Sequence, residues 1–394
     1  MSVSVLTGAG PKRSATTSGR APVVGVVGAG QLARMTQQAA ISLGVELHVL
    51  SASADDPAVR AGARHVPGSA TEFADLVTLA AGCDVVTFDH ELVPAKYIQE
   101  LEALGVRVAP SGAAQRLAQD KLHARRTLAA AGFPVPAFGY ARELAQVLSF
   151  AETHGWPLIA KTPTGGYDGR GVWTLADAAS AARLLDDVDG GLLLEPQLRI
   201  DHELAVLVAR TAEGETAVYP VVETVQREAM CRELLAPAPI APARAAAARS
   251  LARSLAHHCG AVGIVAVELF DTADGLLVNE LALRPHNSGH LTIEGCETSQ
   301  FEQHLRAILG WPLGGTALTA PAVATGNVIG PADGSDPRDR LAAALEVPGA
   351  HVHLYGKAPR PGRKLGHVTV CGPDPERCRR TAQFAVAVLE GAAR

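Results

Sequence analysis

A chain of 394 residues is long enough for two or three domains with substantial cores. Its composition, 47% hydrophobic and 19% charged, is that of an ordinary globular protein, and a formal charge of -5 excludes a general nucleic-acid binder, because no excess of Lys and Arg exists to neutralise a phosphate backbone. No apolar run is long enough to span a bilayer, and six scattered cysteines without CxxC or zinc-ligand spacing fit a reducing compartment, so a cytoplasmic protein with inert thiols is expected.

Residues 1–21 are rich in Ser, Thr, Gly and Ala, carry Lys12, Arg13 and Arg20, and lack the apolar centre of a signal peptide. A disordered extension is expected there, with a basic targeting leader as the alternative. The β-branched run Val23–Val27 ends in Gly28-Ala29-Gly30 and leads into a helix from Gln31 towards Ser42. A strand over 45–50 completes a βαβ opening, which calls for a parallel sheet. Strands over 84–88 and 106–109 follow, so the first unit reads as doubly wound α/β closing near 111–119. A helix over 121–131 stops at Gly132 and Pro134. Strand 158–161 then enters a glycine-rich segment, 164–171, and 172–175 leaves it. Runs at 192–195, 203–209 and 217–220 alternate as antiparallel strands do. An Ala-rich helix at 241–259 precedes two strands, 264–270 and 276–280, joined by an Asp274-Gly275 turn. After Pro312, short strands and a helix over 375–389 make a smaller unit. The class is therefore α/β at the start and α+β afterwards, with no internal repeat.

Several of these segments carry chemistry. The Gly28-Ala29-Gly30 turn lets backbone N–H groups approach a phosphate, and Ala33 completes a dinucleotide-type spacing. No clear acidic residue ends the second strand to hold a ribose, and a turn that merely packs helix on sheet needs the same residues. Four glycines within 164–171 cannot form a stable strand but suit a flap whose amides close over phosphates. Tyr167, Asp168 and Arg170 add a donor, an acceptor and a cation, and Lys161 just before them supplies a charge for a phosphate; a solvated hairpin tip is the alternative. Glu268 and Glu280 fall opposite the apolar Val267, Leu269 and Leu281, so their carboxylates converge beside Asn279. Such a set offers hard oxygens to Mg²⁺ on nucleotide phosphates, unless the two acids simply face solvent. Arg284-Pro285-His286-Asn287-Ser288-Gly289-His290 reads as a reaction-centre loop. Lys357, Arg360, Arg363, Lys364 and His367 surround a Pro361-Gly362 turn and fit an anion such as a ribose 5′-phosphate, or else a solvated charge run.

Together these segments resemble the N5-carboxyaminoimidazole ribonucleotide synthetase family of ATP-grasp enzymes from about Val23 to the last helix. The specific stretches are Gly28-Ala29-Gly30-Gln31-Leu32-Ala33-Arg34-Met35 and residues 164–171, 279–290, 299–308 and 360–367. The resemblance implies a pre-ATP-grasp α/β domain over 22–120, an ATP-grasp domain over 121–313 with a mobile lid at about 136–194, and a small C-terminal domain over 314–394. It implies ATP and Mg²⁺ as cofactors, 5-aminoimidazole ribonucleotide and bicarbonate as substrates, a homodimer, and no nucleic-acid or membrane partner. ATP would be held by Lys121, Lys161, the flap residues Gly166, Tyr167, Asp168, Gly169, Arg170 and Gly171, the run Glu195, Pro196, Gln197 and Leu198, and Glu203, Gln226, Asn279 and Glu280. The implied Mg²⁺ ligands are Glu268 and Glu280. To the ribonucleotide fall Gly30, Gln31, Leu32, Glu91, Tyr167, Asp168, Arg170, Ser288, Lys357, Arg363 and Lys364. Asp168 would orient the amine, and Arg284, His286 and Asn287 match the place where bicarbonate is phosphorylated. The implied reaction makes carboxyphosphate from ATP and bicarbonate and passes the carboxyl group to the amine in purine biosynthesis.

Departures from the family pattern are local. Ala33 replaces a Gly, Asp89-His90-Glu91 stands for Glu-Phe-Glu, Lys121 for Arg, Gln226 for His, and Leu283 for the Pro of an Ala-Pro-Arg run. The last change removes a rigid turn beside the reaction loop. Rival readings are another ATP-grasp ligase, such as a formate-dependent glycinamide ribonucleotide transformylase, an NAD-dependent oxidoreductase, and a non-catalytic ATP-grasp relic.

Overall fold

The computed structural model describes residues 20–166, 170–227 and 229–392. The extension expected over 1–21 lies outside them up to residue 19, as do Tyr167, Asp168 and Gly169 of the flap.

Strands Arg64–Pro67, Glu46–Ser51, Val23–Val27 and Val85–Phe88 form, in that order, an all-parallel sheet. Val24, Val27 and Val86 are at most 1% exposed, as a sheet covered on both faces requires. The helix Gln31–Leu43 follows the first strand and stops at Gly44, whose left-handed φ of 64° suits a residue without Cβ. Two details differ from the sequence reading. Residues 106–109 contribute only an isolated bridge, Val86 to Val108, because the chain leaves the sheet after Pro110 to enter the helix Gly112–Gln119, which Ser111 caps. Arg64–Pro67 is a strand although Val66 is its only residue packed on a core; it lies at the sheet edge, half solvated.

A separate four-stranded antiparallel sheet, in the order Gly139–Ala141, Leu192–Pro196, Leu158–Lys161, Val172–Leu175, carries helices Leu144–His154 and Ala178–Asp187 over its own core. Its glycine-rich loop is closed at the base by Thr162 N–H donating to Gly171 O at 2.9 Å.

The largest sheet is antiparallel and has nine strands among the described residues. It runs Gly275–Ala282, Gly263–Thr272, His202–Arg210, Val222–Arg227, Met230–Ala236, Ala322–Ile329, Lys364–Gly372, Ala350–Leu354, with Thr216–Val218 beside His202–Arg210. The C-terminal strands thus prolong the central sheet through pairs such as Leu234 with Thr325. Helix Pro242–Cys259 covers one face of the central strands and Pro375–Glu390 covers the C-terminal ones. Leu283 is 1% exposed within the core under the first helix, so the position that lost a proline is anchored by packing instead.

The parallel sheet meets this large sheet through the helix Gln300–Leu309. Ser299 caps it by accepting from Glu302 N–H, and Leu305 and Ile308 enter the core of the first domain. Its His304 joins the two sheets directly. Ile264 N–H donates to His304 Nδ1 at 3.1 Å, so the ring proton sits on Nε2 and faces Thr87 Oγ at 2.9 Å.

Candidate active site

A cleft of about 360 Å³, counting space open to solvent, lies between the lid sheet and the end of the central sheet. Leu117, Leu128, Val278 and Leu281 give it apolar walls, and Lys121, Lys161, Arg125, Asn279 and Glu280 line its polar end. The last residue of the lid strand Leu158–Lys161 puts Lys161 Nζ 2.8 Å from Glu195 Oε2 and 3.2 Å from Asn279 Oδ1. Glu195, on the neighbouring lid strand, is 3% exposed and also takes Arg125 Nε at 2.6 Å. Burial opposes its charge, but Lys161 and Arg125 outweigh that and hold the carboxyl below its ordinary range. Arg125 further donates to the carbonyl of Asn279, tying helix Lys121–Ala130, the lid and the central sheet at one point. The sequence singled out Glu195 and Lys161 but not Arg125, whose partners lie 70 and 154 residues away.

Glu268 and Glu280 are direct cross-strand partners, with Val267, Leu269 and Leu281 buried on the other face. Period-2 counting survives because the bulge falls after Glu268, between it and Leu269. Burial, with the charges of Glu280 and then Glu203, pushes the Glu268 carboxyl up to about 7. Glu280 pairs with Lys121 Nζ at 2.8 Å, and Asn279 Nδ2 donates towards Glu268 at 3.5 Å. No cluster of three His, Cys, Asp or Glu suited to a metal occurs among the described residues. Two facing carboxylates, one of them raised by burial and by its neighbour's charge, fit a Mg²⁺ ion that takes its remaining ligands from phosphates and water. Glu203 is held up by burial beside the amide of Gln226. Gln197 and Gln226 are exposed, Pro196 and Leu198 half-buried.

The reaction-loop candidates come together on the far side of Glu268. Arg284 makes a two-pronged pair with Glu91 of the first domain, at 2.7 and 2.9 Å. His286 Nε2 stands 3.5 Å from Glu268 Oε1. Its Nδ1 accepts from Ser288 N–H at 3.3 Å and meets Ser288 Oγ at 2.8 Å, so the ring proton is on Nε2. Burial, then the charges of Arg284 and Lys364, press His286 down to about 3. Gln300 clamps the same residue by accepting its N–H at 2.8 Å and donating to its carbonyl at 2.7 Å. Asn287 turns its amide to Asn327 on strand Ala322–Ile329.

Of the residues assigned to the ribonucleotide, Glu91 borders this region from the first domain through its pair with Arg284, while Gly30 and Gln31 stand at the start of the helix Gln31–Leu43. Leu32 is buried with Met35, Phe301 and Tyr355. The N–H groups of Gly30 and Ala33 donate to the Asp89 carboxylate at 2.6 and 2.9 Å. The anion site of that helix is therefore filled by the protein's own side chain, which removes the place a dinucleotide pyrophosphate would take. Across the cleft, Lys357 lies over the Tyr355 ring at 5.6 Å, and Arg60 reaches the carbonyl of Gly356 at 3.5 Å. Arg363 is pressed down by burial and by Arg360, and Lys364 lies near enough to His286 and Glu268 to bias both. Arg170 is exposed, and Gly166 has a left-handed φ of 76°. No disulfide joins any of the six cysteines, and burial raises Cys83 to about 11 and Cys296 to about 12, as inert thiols require.

Comparison with known proteins agrees with this arrangement. Residues 22–119 match the ribonucleotide synthetase preATP-grasp domain, 126–301 the ATP-grasp domain, and 324–381 the phosphoribosylaminoimidazole carboxylase C-terminal domain. A Mycobacterium tuberculosis N5-carboxyaminoimidazole ribonucleotide synthase is 49% identical over 386 residues, covering 96% of this chain and 90% of the relative. The Aspergillus clavatus carboxyaminoimidazole ribonucleotide synthase complexed with ATP superposes with a TM-score of 0.87 at 35% identity, covering 94% and 99% of the two chains. The Aspergillus clavatus enzyme in complex with ADP and 5-aminoimidazole ribonucleotide gives the same TM-score of 0.87 at 34% identity, again covering 94% and 99%.

Proposed function

Since this chain belongs to the N5-carboxyaminoimidazole ribonucleotide synthase family of ATP-grasp enzymes, we propose that it uses ATP and bicarbonate to carboxylate the amine of 5-aminoimidazole ribonucleotide. The observation that carries the reading is the cleft itself: an apolar slot ending in Lys121 and Lys161, with paired Glu268 and Glu280 between that slot and the loop bearing Arg284 and His286. ATP lies in the slot, its phosphates displacing Lys161 from Glu195 and Lys121 from Glu280. Glu195 to Leu198, Glu203 and Gln226 surround its base and sugar. Glu268 and Glu280 would hold Mg²⁺, which supplies charge neutralisation at the phosphates.

Bicarbonate is a poor electrophile until phosphorylated. Arg284, kept cationic by Glu91, faces the transferring phosphoryl group, and neutral His286 donates from Nε2 to an oxygen there. Asn287 backs the loop. Carboxyphosphate decomposes quickly in water, so closure of the flap 164–171 with Asp168 and Arg170 excludes solvent while the amine attacks. Gly30, Gln31, Glu91 and Ser288 line the ribonucleotide pocket, and Lys357, Arg363 and Lys364 take its phosphate. No helix among the described residues is long and apolar enough to cross a membrane, and we place the enzyme, as a homodimer, in the cytoplasm.

Release of ADP and phosphate is expected only when 5-aminoimidazole ribonucleotide and bicarbonate are both present. Turnover that ignores the ribonucleotide, or that instead needs glycinamide ribonucleotide and formate, contradicts the assignment.

A further inference from the structure

The loop carrying Arg284 and His286 is backed by a row of polar side chains on the C-terminal strands. Asn327, His367 and His353 lie side by side across three strands, because Asn327 pairs with His367 and His367 with His353. Opposite stand Asn287, His290 and Glu294, spaced as one face of helical backbone. Each meets its counterpart. Asn287 and Asn327 exchange two hydrogen bonds of 3.0 Å, and Asn327 also donates to the carbonyl of Cys231 at 3.0 Å. The rings of His290 and His367 are both fully buried, 5.0 Å apart, with the Tyr355 hydroxyl 2.9 Å from His367 Nδ1. At the outer end His353 Nε2 meets Glu294 Oε1 at 2.6 Å, and its ring stacks on His367 at 4.5 Å.

Apart from Thr325, Asn327 is the only polar side chain in the buried strand Ala322–Ile329, and an amide there costs desolvation that an apolar side chain would avoid. What it adds is direction, since a reciprocal amide pair fixes both distance and orientation. From this we infer that Asn327 and His353 are positioning residues for the carboxylation proposed above, on which the inference rests. Through Asn287 and Glu294 the C-terminal sheet sets where Arg284 and His286 stand. The same sheet carries Lys364 at the start of the strand Lys364–Gly372. The strand nearest the ribonucleotide phosphate and the loop at the carboxylating centre therefore keep one fixed separation.

The test measures phosphate released and ribonucleotide carboxylated in the same assay, with nucleotide affinity and Tm alongside. Asn327→Leu removes the first rung at similar volume. The expected result is ATP affinity within about twofold of wild type, carboxylation down about tenfold or more, and more than one phosphate per product, since a small misplacement of reacting groups has effects of this size. His353→Gln, at the half-exposed outer rung, shifts the same ratio in the same direction by less, and it carries the test if Asn327→Leu does not fold. A lowered Tm with the rate per folded site and the phosphate-to-product ratio unchanged overturns the inference. Wild-type protein that carboxylates nothing removes the proposed function and this inference together; failure of the inference alone is read from variants beside an active wild type.

Discussion

Glu268 and Glu280 show what a single pair of side chains can decide. Held opposite one another on adjacent strands, they leave Glu268, buried beside the charge of Glu280, with a raised proton affinity, against which Lys364, Lys161 and the amide of Asn279 act only in part. A divalent cation relieves that repulsion. Glu280→Gln is therefore expected to lower carboxylation at saturating ATP by about 100-fold or more, while Tm moves little, because a partly exposed ion pair contributes little stability. Near-normal turnover across a Mg²⁺ series would take Glu280 out of the cation site. This pair was legible in the sequence, since alternation in two strands around a tight turn fixes which residues share a face. Asp89, Arg125 and Asn327 were not. Each acts on a partner far away in the chain, and nothing local distinguishes them from a loop acid, a helix arginine or a polar residue in a strand. For Asn327 a signal did exist, as the lone amide in a wholly buried strand whose other residues, Thr325 apart, are apolar.

Elements were legible where periodicity and capping agree. The opening βαβ unit, the helix Pro242–Cys259 and the hairpin of Gly263–Thr272 with Gly275–Ala282 fall close to where the sequence places them. Strands such as Val222–Arg227 and Met230–Ala236 escaped because they mix charged with apolar residues and take their stability from neighbours on both sides. The helix Gln300–Leu309 has a further role as the joint between two sheets, through His304. Burial presses this histidine down to about 4 from the ordinary 6.5, so the unfolded chain takes up its proton first as pH falls. Its contribution is whole above pH 6.5, declines between 6.5 and about 4, and levels off below that; the gap corresponds to about 3 kcal/mol. Urea midpoints of the wild type are expected to fall across this window. His304→Gln should start lower and show a shallower fall, and an equal slope in both would show that His304 does not titrate between the two states.

Across the whole molecule, three bodies of structure converge on one cleft. The parallel sheet contributes Glu91, the lid contributes Lys161 and Glu195, and the nine-stranded sheet contributes Glu268, Glu280 and the loop 284–290. Loss of the proline at position 283 does not loosen that loop, because Leu283 is packed in the core, Glu91 holds Arg284, Gln300 holds His286 and Asn327 holds Asn287. The sequence reading expected less rigidity there, since turn chemistry is local whereas these four restraints come from distant segments. The ATP-grasp class was legible from motif order, yet the continuity of the C-terminal strands with the central sheet depends on pairing that motifs do not encode. The central claim is that the carboxyl group of bicarbonate reaches the ribonucleotide amine at the expense of ATP. Incubation with ¹⁴C-bicarbonate, ATP, Mg²⁺ and 5-aminoimidazole ribonucleotide tests it most directly. The account predicts one acid-labile ¹⁴C carboxyl bound to the ribonucleotide for each ADP formed, and ADP formed without label on the ribonucleotide would contradict it.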